Sequence, residues 1–191
     1  PDELTNHRGP EVVVIGGGAA GEHAAQMALG LGAAVTIFDV SLPRLRALSA
    51  RFNDRVTTLL STPHSVAVAL QSADLVIGAV LVPGAAAPKV VTDEMVARMP
   101  QGSVLVDIAI DQGGCFEGSR PTTHDDPVFR VHRSLYYCVA NMPGAVARTS
   151  TMALTHATLP YVLAIAHHGA EAAMAADPAL ARGSNVVDGV V

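Results

Sequence analysis

Glu11-Val12-Val13-Val14-Ile15-Gly16-Gly17-Gly18-Ala19-Ala20-Gly21, followed eighteen residues later by Asp39, is the stretch that decides the fold of this chain. A short β-branched run feeds a Gly-x-Gly-x-x-Gly turn, Glu22 to Leu31 reads as a small-residue helix, and Ala34 to Phe38 reads as a second strand ending on an acid. Gly16 allows the tight strand-to-helix turn, Gly18 lets backbone approach a pyrophosphate, and Gly21 lets the helix pack on the sheet. Phosphates then sit at a helix N-terminus, where free N–H groups and the helix dipole favour negative charge. Asp39 is placed to accept hydrogen bonds from adenine ribose hydroxyls. With strand, helix, second strand and terminal acid in register, the segment predicts a bound NAD, and Gly16, Gly18, Ala19 and Gly21 are the candidate residues at its turn.

Composition bounds what surrounds this unit. The 191 residues are 50% hydrophobic and 15% charged, enough apolar material for a sizeable core and too little charge for disorder. A net charge of −5 and 4% aromatics leave no basic, base-stacking surface, so no nucleic-acid partner is expected. No apolar run approaches the roughly 20 residues of a membrane span, so no membrane partner is expected either. Cys115 and Cys138 are the two cysteines and read as reduced thiols of a cytoplasmic protein. The start Pro1-Asp2-Glu3 has no initiator methionine and no signal-peptide segment, and looks like the middle of a longer protein.

Strands and helices alternate along the chain, which predicts the α/β class: a Rossmann-type, doubly wound parallel sheet with C-terminal helices. Strands are expected over Val12–Ile15, Val35–Phe38, Val56–Leu59, Leu75–Ala79, Val104–Asp107 and Leu135–Val139. Their valine and leucine runs lack clean alternation, as in strands buried on both faces. Helices are expected over Ala20–Leu31, Pro43–Arg51, Ser65–Gln71 and Asp93–Arg98, with Ser41 and Thr92 as caps. Residues 1–148 form the expected NAD-binding domain. Residues 149–191 are expected to be helices that pack on a substrate domain outside this chain, with Leu159, Val162, Leu163 and Ala166 as their apolar stripe. Pro160 is expected to start or kink the second helical stretch and Gly169 to stop it.

A second block runs from Val104-Leu105-Val106-Asp107 through Ile108-Ala109-Ile110-Asp111-Gln112-Gly113-Gly114 to Pro121. A hydrophobic strand opens into a polar, glycine-bearing loop, and in open parallel sheets ligands bind beyond the carboxyl ends of strands. Asp107 and Asp111 therefore point to the cofactor edge, or cap loops. Asp111 is the candidate catalytic residue, an acid able to orient a ligand or relay a proton. Lys89, the single lysine, reads as a surface charge, and the eight histidines carry no metal-ligand spacing.

The strings Asp74 to Gly84, Pro88-Lys89-Val90-Val91, Asp107 to Thr123, Tyr136 to Pro143 and Thr149-Ser150-Thr151 resemble the alanine dehydrogenases in order over nearly the whole chain. Proton-translocating NAD(P) transhydrogenases share the early glycine turn, but are not expected to carry the run from Cys115 to Thr123. The resemblance implies an NAD-dependent oxidative deamination of L-alanine to pyruvate and ammonia, with hydride passing to NAD. It implies that Asp39, Arg44 and Ser61 meet the adenosine, with Val80 and Leu81 flanking it. It implies further that Ile108, Ala109, Ile110 and Asp111, together with Val139, Ala140, Asn141 and Met142, line the nicotinamide side, with Arg120 nearby. In that family an N-terminal domain supplies a substrate-gripping lysine and an acid/base histidine, and nothing here matches them. The chain alone is thus expected to bind NAD without turnover, and the family's habit implies a homo-oligomer. A non-catalytic NAD-binding module and a transhydrogenase cofactor domain are the alternatives.

Overall fold

Strands β1 (Glu11–Ile15), β2 (Ala34–Asp39), β3 (Thr57–Leu60), β4 (Leu75–Gly78), β5 (Val104–Asp107), β6 (Val128–Val131) and β7 (Ser134–Tyr137) form one sheet. Its order is β3-β2-β1-β4-β5-β7-β6. The computed structural model describes residues 9–82, 84–187 and 189–190, so the N-terminal Pro1-Asp2-Glu3 and Pro83 lie outside the described residues. Reading β7 as the sixth strand, this is the doubly wound order 3-2-1-4-5-6, with chain direction reversing its progress between β1 and β4. Two compact units are present, one ending at Met142 and the other beginning at Pro143.

Six strands were expected, all parallel; the structure corrects this to seven, with β6 antiparallel to β7. The two strands are joined by His132-Arg133, and His132 takes the left-handed φ of 53°. That connection has neither the Asn-Gly nor the Asp-Gly chemistry that marks a tight hairpin. The added strand covers the open side of β7 and carries Phe129, whose ring lies 5.4 Å from that of Tyr136.

Helices α1 (Ala19–Gly30), α2 (Leu42–Arg51), α3 (Pro63–Leu70) and α4 (Asp93–Ala97) connect the parallel strands. Ala25, Ala28 and Leu48 of α1 and α2 pack on one sheet face with Val12, Val14 and Ile37. Val66, Leu70 and Val96 of α3 and α4 pack on the other with Val13, Ile15 and Phe38. The alternation within β1 thus feeds two cores, which is why the whole strand is apolar. Ser41 caps α2 by accepting from the Arg44 N–H at 3.3 Å. Thr92 caps α4 through the Met95 N–H at 3.3 Å, and Thr62 and Ser65 form a reciprocal capping box on α3.

The second unit holds α5 (Ala147–His168), α6 (Ala170–Ala176) and α7 (Pro178–Ala181). α5 continues through Pro160 as one helix and stops at Gly169, whose φ is 79°. None of its residues is buried, and Leu159, Val162 and Leu163 of the expected stripe are exposed.

Gly78, the last residue of β4, shows how closely the site's supports are packed. A Cβ there would sit 2.3 Å from Cys115 Sγ and 2.8 Å from Phe116 Cζ, both fully buried. Gly78→Ala should therefore lower stability by about 1–3 kcal/mol, an overpacking cost. A drop in the urea midpoint at constant m-value is the expected reading, and an unchanged midpoint would show that the loop carrying Cys115 yields freely.

Candidate functional site

The strand register lines the expected residues along one edge. Phe38 lies beside Ile15, Leu60 beside Asp39, Gly78 beside Ile15 and beside Asp107, and Val106 beside Tyr137. The residues leaving these strands therefore follow in space as Ser61, Asp39–Val40, Gly16, Ala79–Val80, Ile108 and Cys138–Val139. At about 4.8 Å per strand, the five intervals from β3 to β7 make an edge roughly 24 Å long.

At its centre the glycine turn leaves β1. Gly16 takes φ 100°, and a Cβ on it would press to 2.5 Å from the Ala79 carbonyl oxygen. Nothing lies within 4 Å of the position a Gly18 Cβ would take, so that face is open to a ligand. Helices α2, α3 and α4 each have a side-chain cap, whereas α1 has none. Its first-turn N–H groups, beside exposed Gly18 and Ala19, are left facing the cleft, the arrangement that receives an anion. Gly21 packs against the Gly16 carbonyl, where a Cβ would come to 1.9 Å.

Asp39 stands half-buried beside this turn. Its Oδ2 accepts from the Gly17 N–H and its Oδ1 from the Ser41 N–H, both at 2.8 Å. Each oxygen keeps a further lone pair for a ribose hydroxyl. Arg44 holds the next peptide of the turn, its Nε donating to the Gly17 carbonyl at 2.5 Å. Its Nη2 pairs with Glu22, which also pairs with Arg51. The Arg44 hydrogen bond, with the charge of Arg51 beside it, holds the Glu22 carboxyl below its ordinary value of 4.5 against the opposing effect of burial. Arg44 is thus committed to the turn and to Glu22.

A cleft of about 390 Å³ opens here, lined by Gly16, Gly18, Asp39, Ser61, Val80 and Leu81 among others. Its walls are mainly apolar, with Asp39 and Ser61 among their polar groups, a surface suited to an adenosine. Ser61 is held at the edge through its N–H, which donates to the Asp39 carbonyl at 2.9 Å.

Further along the edge, Ile108–Gln112 form a 3₁₀ turn beyond β5. Ala109 and Ile110 are buried in the core, Ile108 is half-buried, and Asp111 is exposed with no side-chain hydrogen bond among the described residues. Val139 is fully buried, while Ala140 and Asn141 are exposed and Met142 is half-buried. Ala109, Ile110 and Val139 therefore present little or no surface at this edge and support the exposed residues beside them. Arg120 lies with its guanidinium 4.1 Å from the centre of the Phe129 ring, a cation–π contact on the β6 side.

Three supports hold this edge, of which Asp107 takes the loop-capping role that the sequence left open beside the cofactor edge. Asp107 is fully buried and accepts from the N–H groups of Ala109 (3.1 Å), Cys115 (2.9 Å) and Phe116 (3.3 Å) and from the Ser119 hydroxyl. It is the anchor of its loop. Lys89, expected as a surface charge, is exposed, and its ammonium also donates to the carbonyls of Gly113, Gly114 and Phe116. Glu22, in the first turn of α1, holds two arginines. A single signal was available: Lys89 is the chain's only lysine and lies between residues of the cleft wall, Pro88 and Val90. Burial first, and the Asp107 carboxylate second, push the Cys115 thiol well above its ordinary range; burial also raises Cys138 and Tyr136. Neither cysteine is a nucleophile at neutral pH. Among the described residues no group of three or more His, Cys, Asp or Glu side chains could hold a metal, and no helix is long and apolar enough to cross a membrane.

Sheet order, glycine turn and strand-end acid together define a Rossmann-type domain of the dinucleotide-binding class. The sequence model of "Alanine dehydrogenase/PNT, C-terminal domain" matches residues 5–191, and the chain belongs to this family. An alanine dehydrogenase of Mycolicibacterium smegmatis is 60% identical over 94% of this chain and 48% of its own length. One from Geobacillus stearothermophilus is 56% identical over 94% of this chain and 48% of its own length. The chain spans about half the length of the curated relatives it matches. A solved L-alanine dehydrogenase superposes with a TM-score of 0.86 at 49% identity, covering 93% of this chain and 49% of that one. A transhydrogenase from Sinorhizobium meliloti gives 0.67 at 31% identity over 75% of this chain and 40% of that one.

The lowered Glu22 carboxyl makes the turn's ion pairs pH-dependent. A folded-state value below the unfolded one contributes stability that is complete above the unfolded value of about 4.5 and is lost as pH falls through the folded value. Glu22→Gln should therefore melt below wild type at neutral pH, and the gap should close on acidification well below 4.5. A gap that persists at low pH would assign the loss to packing instead of charge.

Proposed function

We propose that this chain is the NAD-binding half of an alanine dehydrogenase, which oxidises L-alanine to pyruvate and ammonia. The observation that carries the reading is the single edge on which Ser61, Asp39, the uncapped α1 N-terminus and Val80 stand in strand order. The residues present fit the cofactor. Gly16, Gly18, Ala19 and Gly21 would hold the pyrophosphate through backbone N–H groups, Asp39 the adenine ribose, and Ser61, Val80 and Leu81 the adenosine. Ile108 to Asp111 and Val139 to Met142 would flank the nicotinamide. When bound, NAD supplies the hydride acceptor. Asp111, exposed at the end of its turn, is the group of this chain able to take a hydrogen bond from, or relay a proton to, the reacting end. The substrate's carboxylate grip and the acid/base histidine come from outside these 191 residues. We place the protein in the cytoplasm, a compartment that suits the free thiols Cys115 and Cys138, and as a homo-oligomer.

NAD over NADP is the first expectation. The Asp39 carboxylate would repel a 2′-phosphate, and Arg44 is engaged by Glu22 and Gly17. A charge-assisted hydrogen bond is worth roughly 1.5–3 kcal/mol, so calorimetric titration should show at least about tenfold tighter binding of NAD. Equal affinity would mean that Asp39 does not face the ribose.

For the polypeptide carrying this chain, Asp111→Asn should lower alanine-dependent NADH formation by about 10²–10⁴-fold and leave NAD affinity little changed. Lost NAD binding with undiminished turnover of the bound enzyme would recast Asp111 as a cofactor ligand. The 191 residues alone should bind NAD, self-associate in light scattering through exposed Leu159, Val162 and Leu163, and form no NADH from alanine. Alanine turnover by these residues alone would falsify the division of labour.

A further inference from the structure

The segments that follow β4 and β5 are laced together. Ala87 N–H donates to the Gln112 carbonyl at 2.9 Å, Val90 N–H to the Cys115 carbonyl at 2.8 Å, and Glu117 N–H to the Val91 carbonyl at 2.9 Å. Val91 and Phe116 make a parallel bridge. Between Gln112 and Cys115 this seam skips two residues. The carbonyls of Gly113 and Gly114 receive no backbone N–H among the described residues. The Lys89 ammonium fills the gap, donating to Gly113 at 2.6 Å, Gly114 at 2.9 Å and Phe116 at 3.1 Å. Three N–H bonds meet three carbonyls, the full donor capacity of the group.

This gap matters because of what stands on either side of it. Asp111 lies two residues before Gly113, at the end of the 3₁₀ turn where a cation is favoured by the aligned carbonyls. Pro88 and Val90, the neighbours of Lys89, belong to the wall of the adenosine cleft. On the inner side of the same loop Asp107 reads the N–H groups of Ala109, Cys115 and Phe116. The loop is gripped by a carboxylate on its donors and an ammonium on its acceptors.

We propose that Lys89 is a positioning residue: through the Gly113 and Gly114 carbonyls it fixes Asp111 relative to the cofactor cleft. The inference rests on the reading of this chain as the NAD-binding half of an alanine dehydrogenase. Backbone bonds hold the seam at Gln112, Cys115 and Glu117 and leave the cleft in place, while Gly113 and Gly114 donate their N–H groups to the Ile110 and Ala109 carbonyls at 3.0 Å each, so loss of the ammonium loosens the two residues that close the turn bearing Asp111.

The test uses Lys89→Met and Lys89→Cys in the polypeptide carrying this chain. A misplacement of the reacting groups by about 1 Å costs on the order of 10²-fold, so Lys89→Met should lower turnover about 10- to 100-fold. NAD affinity and the KM for alanine should stay within about twofold, the pattern of an interaction used in the reaction and not in ground-state binding. Amide hydrogen exchange should accelerate across residues 109–116 and not at the glycine turn. Lys89→Cys should be equally slow, and 2-bromoethylamine, which rebuilds an ammonium at the same reach, should restore most of the turnover. The native thiols, Cys115 and Cys138, are both fully buried, and Lys89→Met treated with the same reagent reports any reaction at them when the loop is loosened. Unchanged turnover, a loss the rebuilt ammonium does not repair, or NAD affinity falling in step would overturn the proposal. A wild-type protein that fails to bind NAD would sink the functional reading instead. Exchange at 109–116 would still report on the clamp, and no change there in Lys89→Met would sink it separately.

Discussion

A carboxylate sealed from water must find its hydrogen bonds inside the fold, and Asp107 finds them in the loop that follows its own strand. Burying a charge without partners is prohibitive, so the chain from Ala109 to Ser119 has to fold around it. That fold brings Cys115 and Phe116 down onto Gly78, sets the Phe116 ring edge-on to Tyr136, and turns Asp111 out to the sheet edge. The seam to the β4 side and the Lys89 contacts then have fixed carbonyls to meet.

The glycine turn is built on the same plan. Asp39 takes the Gly17 N–H and Arg44 gives to the Gly17 carbonyl, so the two peptides that flank one glycine are held by opposite charges. At the β5 loop Asp107 and Lys89 share the work over several peptides. In both places the charges act on backbone, which leaves the backbone rigid where a ligand must meet N–H groups in fixed positions. Hydrogen bonds to ionised groups are stronger than neutral ones, and they cost no apolar packing at a site that needs an open face.

Much of this was legible in the chain and the rest was not, for physical reasons. β1, β2, β4 and β5 read clearly because strands covered on both faces must be apolar along their whole length. The caps Ser41 and Thr92 read from local chemistry alone. β6 did not, because its partner, half-exposed surface and glycine-free turn are settled by tertiary pairing. Pro160 was expected to start or kink a second helical stretch, and it lies inside one continuous helix, since a proline inside a long helix bears on one turn only. Among the site residues, the glycines and Asp39 carry their meaning in their spacing. Lys89 and Glu22 carry theirs in contacts 22 to 29 residues away, and Asp107, readable as a loop cap, in a loop whose path no local pattern specifies.

The two thiols buried around Asp107 give the fold an internal gauge. Cys115 and Cys138 show no surface to solvent, and burial keeps both protonated at neutral pH. An alkylating reagent meets a thiolate there only when the loop after β5, or the end of β7, swings away from the sheet. The rate at which each cysteine is labelled therefore measures how often its own segment opens, two clocks on neighbouring parts of one edge. A ligand bound along that edge would slow both, and the difference between them would tell which strand end it holds more firmly.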